Sequence, residues 1–189
     1  MKSIFNPRTG VLAAMILMAG AWRLMFLGNN LPMANFTPIG AMALFGGCYF
    51  SDKWKAILLP LVTLWLTDII LNSFVYSHQL TFFYSGFYWN YGIFALTALM
   101  GTFIRKVSVK NVLVASISAA LLFWLVSDFG VWVGGTMYPK NVAGIIECYA
   151  AAIPFLRNML ISNLVFSAIM FGSFELIKFK FPKLATIKA

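Results

Sequence analysis

The sequence predicts an all-α integral membrane protein. It has six transmembrane helices, both termini cytosolic, and a short outer interfacial helix between helices five and six. Three observations predict it. Of 189 residues, 61% are hydrophobic and only 10% charged, with a mean hydropathy of +0.86; soluble domains carry about one quarter charged residues. Six apolar runs approach the ~20 residues that span a bilayer. The basic residues collect in alternate connections between those runs. One transmembrane domain, residues 1–189, accounts for the whole length. The net charge of +9 would suggest nucleic acid as a partner in a soluble protein. Here it marks topology, so the partners expected are membrane lipid and not nucleic acid.

Taken in order, the runs cover residues 10–28, 36–50, 56–74, 89–104, 112–133 and 159–177. The first follows Lys2 and Arg8 and contains Ala19-Gly20-Ala21, which resembles a leader with its cleavage site. Its apolar character continues to Gly28, so a retained first helix is expected. The second and fourth runs are short, fit for a thin crossing or a partly re-entrant one. A seventh segment, 142–153, is too short to cross and reads as interfacial. Asn141 would be its N-cap and Pro154 its stop.

With the N-terminus in the cytosol, that side holds Lys2, Arg8, Lys53, Lys55, Arg105, Lys106, Lys110, Lys178, Lys180, Lys183 and Lys188. These are eleven of the fourteen basic residues. With Asp52 and Glu175 they carry the whole net charge. The remainder is Arg23, Lys140 and Arg157 against Asp68, Asp128 and Glu147, a set that sums to zero. At about 1.5 Å per residue, Arg23 and Asp68 lie about 18–20 Å above the cytosolic ends of their helices and Asp128 about 24 Å. All six fall in the outer half or the outer loops.

An ionised group inside a span costs about 3 kcal/mol to insert and faces a partner or a water-filled cavity. Trp65, Asp68 and Asn72 share one helix face, and Trp124, Asp128 and Trp132 another. Two readings stay open: an outward cavity walled by tryptophans, or structural ion pairs that hold helices together. The loop 77–91 is rich in aromatics, Trp89 among them. It reads as an interfacial belt, with a lid over a flat ligand as the sharper alternative. Glu175 with Lys178 reads as a surface pair. Cys48 and Cys148 fall on opposite sides, which argues against a disulfide.

Catalysis finds no footing, and the protein is not expected to be an enzyme or to hold a cofactor. No serine, histidine and acid suggest a triad, no glycine-rich phosphate loop occurs, and the single histidine, His78, makes no metal site. An Asp68–Asp128 dyad lacks the Gly-x-Gly-Asp setting of intramembrane aspartyl proteases.

The segments Asn35-Phe-Thr-Pro-Ile-Gly-Ala-Met-Ala-Leu-Phe-Gly-Gly, Ser127-Asp-Phe-Gly-Val-Trp, Met137-Tyr-Pro-Lys and Ala152-Ile-Pro-Phe-Leu-Arg-Asn resemble an uncharacterised family of small bacterial membrane proteins. Those proteins in turn resemble the S components, the substrate-binding subunits of energy-coupling factor vitamin transporters. The similarity rests on size, six spans, cytosolic ends, and Thr37-Pro38 at the opening of the second span. It implies a protein of the bacterial cytoplasmic (inner) membrane that captures a small organic micronutrient from outside. It also implies a partner energy-coupling membrane subunit with its ATPases. Where many S components carry an Ala-xxx-Ala pair on the first helix, this chain has Gly10/Ala14 and Met15/Ala19.

The expected function is therefore vitamin uptake by an S-component-like, substrate-binding transport protein. The alternative is a structural or assembly subunit of a larger membrane complex. The expected ligand-binding residues are Arg23, Asn35, Asp68, Asn72, Trp89, Asp128, Trp132, Tyr138, Lys140 and Arg157. The acids and Asn72 would line the outer cavity; Arg23, Lys140 and Arg157 would supply positive charge. The neutral sum favours a zwitterionic or uncharged ligand.

Overall fold

The computed structural model describes residues 7–25 and 34–185, and the regular structure among them is helical throughout. Seven α-helices follow in order: α1 Pro7–Met25, α2 Ile39–Tyr49, α3 Lys53–Leu71, α4 Phe87–Thr102, α5 Val109–Gly134, α6 Val142–Ala151 and α7 Ile153–Lys180. A π turn, Asn72–Tyr76, prolongs α3, and a 3-10 turn, Pro182–Leu184, follows α7. Lys2, Lys188 and the expected end of the first run at 26–28 lie outside the described residues.

Four helices are long and apolar enough to cross a membrane: α1, α3 with its π turn, α5 and α7. The other two expected spans are short, as the sequence suggests, and α2 is shorter than its apolar run. α2 has 11 residues and α4 has 16, about 16 Å and about 24 Å of rise against a hydrocarbon core of about 30 Å. Of the six expected crossings, four are full-length helices, and the two expected to be short are short.

α2 explains how so short a helix is accommodated. Every residue from Ile39 to Tyr49 is buried except Cys48. It packs on α1, α3, α4, α5 and α7. A helix that is apolar all round needs neighbours all round. Its glycines let them come close. A Cβ on Gly47 would stand 1.9 Å from the Ala98 carbonyl oxygen of α4, and one on Gly101 would stand 2.3 Å from that of Leu44. Gly46 meets Pro60 of α3, and Gly40 meets Asn163 of α7. With its ends inside protein, the backbone of α2 does not have to be satisfied in lipid.

The bundle is tied at the end where α1 begins and α7 finishes. Arg8 Nη2 donates to the Tyr49 carbonyl at 2.9 Å and Nη1 to that of Leu184 at 2.9 Å. The Tyr49 hydroxyl donates to Glu175, which pairs with Lys178 at 2.7 Å. The expected surface pair is thus part of a cluster around a buried tyrosine. α1 runs unbroken through Ala19-Gly20-Ala21, with Gly20 buried against Thr63 of α3. At the opposite end, Asn141 caps α6 as expected: its side chain accepts from the Gly144 amide at 2.9 Å. Pro154 does not stop this helix. It occupies the first turn of α7, where a missing N–H costs no intrahelical bond.

The close approach of α2 and α4 gives a test. Gly47→Ala should lower stability by about 1–3 kcal/mol, as overpacking does. Gly172→Ala, with no atom within 4 Å of its Cβ, should change it by less than about 0.5 kcal/mol. Thermal unfolding in detergent measures both. Equal melting temperatures for the two variants would refute the packing account.

Candidate functional site

The first polar cluster forms where α1, α3 and α4 meet, at the end opposite Arg8. α1 ends with Arg23 in its last turn, and α3 presents Thr67 and Asp68 late in its length. Arg23 Nη1 lies 2.5 Å from Asp68 Oδ1 and donates to Thr67 Oγ1 at 2.8 Å. The Tyr91 hydroxyl of α4 donates to Asp68 Oδ2 at 2.9 Å. The Asp68 side chain is only 3% exposed, so both carboxylate oxygens are engaged and dry. A charge this deep is held only by a close, hydrogen-bonded partner.

The aromatic loop folds over this cluster. Gly86, at φ 78°, turns the chain into α4. Phe83 stacks on Trp65 of α3 at 6.2 Å and packs on Phe87 at 4.6 Å. Tyr84 accepts a bond from Asn90 Nδ2 at 2.7 Å. Burial raises the Tyr84 phenol above its ordinary range, and the Asn90 bond opposes the rise. Asn72 does not reach the cluster with its amide. Its Nδ2 donates to the Asp68 carbonyl at 2.8 Å, at the start of the π turn.

The second cluster lies where α6 covers the C-terminal half of α5. The Tyr149 hydroxyl donates to the Leu125 carbonyl at 2.6 Å, and its ring meets Trp124 edge-on at 5.0 Å. Cys148 Sγ lies 3.5 Å from the Asp128 carbonyl, and burial raises this thiol. Trp132 Nε1 donates to the Pro139 carbonyl at 2.9 Å. Trp124, Asp128 and Trp132 therefore do share a face, and that face is covered by α6 and the turn before it. The Asp128 carboxylate, half-buried, has no hydrogen-bond or ion-pair partner among the described residues. The Trp124 indole N–H is buried and also without one.

Lys140 departs from expectation. Its ammonium donates to the carbonyls of Trp132, of Gly135 at 2.5 Å and of Val133 at 3.2 Å. It closes the C-terminal end of α5, where a cation also complements the helix dipole. Trp89 is a packing residue too: its ring lies against Gly130, where a Cβ would come within 2.7 Å. Asn35, exposed with φ 64°, and Tyr138 and Arg157 join neither cluster by a side-chain hydrogen bond or ion pair among the described residues. The one expected charge set thus divides: Arg23 pairs with Asp68, Lys140 turns back onto the end of α5, and Asp128, Glu147 and Arg157 form no ion pair among the described residues.

Two features escaped the sequence reading. Ser116 of α5 donates to Ser167 of α7 at 2.8 Å, and Asn163 Nδ2 donates to the Ser116 carbonyl at 3.3 Å, all buried. The spacing of Asn163 and Ser167, four residues apart, was the available signal. A groove of about 420 Å³ also runs between α5 and α7 toward the Arg8 end, lined by Val112, Ser116, Leu164, Ser167, Phe171 and Glu175 among others.

The model of one family, described as a family of unknown function (DUF6580), matches residues 3–184. No curated protein and no solved structure matches the chain.

The ion pair yields a double-mutant prediction. Asp68→Ala, which strands Arg23, should cost about 3–5 kcal/mol of stability. Replacing both Arg23 and Asp68 with leucine should recover most of that loss. Chemical unfolding in mixed micelles reads the cycle. An equal loss in the single and the double variant would show that the charges do not act as a pair.

Proposed function

The chain belongs to that family of unknown function, and we propose that it is a substrate-binding membrane transport protein. It captures a small organic micronutrient from the outer side, in the manner of an S component. It sits in the bacterial inner membrane with both chain ends in the cytosol. The chain crosses six times, α2 making its passage inside protein. Energy would come from a partner membrane subunit and its ATPases.

One observation carries the reading: Asp128, an acid within the span-length helix α5, stands without a partner among the described residues, one turn from each of two tryptophans and beneath a short helix. An unpaired charge at such depth is a functional feature by default, because insertion disfavours it. The first cluster serves as framework. It fixes α1, α3 and α4 so that the α5–α6 face keeps its shape. The alternative, an assembly subunit, draws support from the groove between α5 and α7, whose apolar walls could receive a helix of another protein. In that case a second membrane protein would co-purify in fixed stoichiometry.

Purified protein melted in the presence of vitamins and their precursors should gain several degrees from at least one compound. Asp128→Asn should lose that gain while keeping its own melting temperature. If no compound stabilises the wild type, or if Asp128→Asn responds equally, the transport reading fails.

Orientation has its own test. In a background with Cys48→Ala and Cys148→Ala, membrane-impermeant maleimide on intact cells should label Ser85→Cys and Thr136→Cys. It should leave Arg105→Cys and Lys183→Cys unmodified until the cells are opened. The reverse pattern would invert the topology.

A further inference from the structure

We propose that the site at Asp128 selects a ligand carrying a positively charged nitrogen together with a hydrogen-bond acceptor. This rests on the transport reading and narrows it.

The charges at this end of the bundle support it. By sequence they balance, which favoured a zwitterionic or neutral ligand. In the folded protein they do not remain available in equal number. Arg23 is held by Asp68 and Thr67. Lys140 is folded onto three carbonyls at the end of α5. Glu147 and Arg157 are exposed and so are shared with solvent. Among the outer-half charges of the span-length helices that are not exposed, the carboxylate of Asp128 is the one left without a partner among the described residues.

The surroundings of Asp128 point the same way. Trp124 lies one turn before it and Trp132 one turn after, on the same face. Indole faces attract cations, and the protein already shows this here, with the Lys140 ammonium 5.5 Å from the centre of the Trp132 ring. A carboxylate on the same helix face as two tryptophans is a setting that a cation satisfies and an anion does not. The unpartnered Trp124 N–H is an independent observation. It is a donor awaiting an acceptor, one helical turn from the acid that awaits a cation. A molecule with both functions would complete the hydrogen bonding of the two.

Choline is a suitable probe because it carries both functions. Its uncharged isostere, with carbon in place of the quaternary nitrogen, has the same shape. Tryptophan fluorescence of the detergent-solubilised protein should change saturably with choline and at least tenfold more weakly with the isostere. Asp128→Asn should bind choline at least tenfold more weakly. Asp128→Glu, which keeps the charge, should preserve the preference for the cation and so exclude misfolding as the cause. Equal binding of choline and isostere would overturn the proposal, as would unchanged affinity in Asp128→Asn or the absence of saturable choline binding. If instead an anionic or neutral vitamin stabilises the wild type through Asp128, the transport reading stands and the cation preference alone is lost.

Discussion

The structure depends on backbone meeting backbone around α2. This helix is shorter than the hydrocarbon core is thick and has no polar face to turn to water. It persists because other helices enclose it on every side. Gly47 and Gly101 let the α2 and α4 backbones touch, Gly46 brings α2 against Pro60 and the Ala56 carbonyl of α3, and Gly40 admits the Asn163 side chain of α7. Where lipids surround the protein, apolar side chains gain little by leaving lipid for one another. Close packing and hydrogen bonds must hold the helices instead. Small residues at these contacts are therefore the main source of cohesion, and the positions of the outer helices follow from what surrounds α2.

Polar contacts then fix what packing leaves free. Most lie between helices that the chain does not join directly. Arg23 and Asp68 bind α1 to α3, Tyr91 adds α4, and Ser116 with Asn163 and Ser167 joins α5 to α7. A hydrogen bond between buried side chains is directional in a way that apolar contact is not. These few contacts set the rotation of each helix about its own axis. They also leave the half-buried carboxylate of Asp128 without a partner among the described residues.

Much of this was legible in the residues. Apolar run lengths located all seven helices, and spacing by three and four put Asp68 on an inward face and Asp128 on a face with two tryptophans. Asn141 read correctly as a cap because a cap is a local event. What could not be read were contacts decided by direction in three dimensions. Lys140 is positive in any listing of the sequence; only the fold shows that it turns back to close its own helix. The true length of α2 was hidden because an apolar run does not say where regular backbone stops. The serines and Asn163 passed as ordinary residues of an apolar helix, since one small polar group barely alters the character of a run. Pro154 looked like a stop because proline both ends and begins helices, and the sequence does not say which.

The bonds of Arg8 carry a consequence for how the protein is made. Its guanidinium reaches Leu184, 176 residues further along the chain. Gly40, at the start of α2, rests on Asn163 of α7. A ribosome delivers α1 and α2 to the membrane long before either contact exists. The central helix must therefore be sheltered, by the insertion machinery or by remaining outside the lipid, until the last helix arrives. A chain cut short before α7 would lack not only a wall but the condition for its own centre to form. For a protein of this size, biogenesis is close to all-or-none.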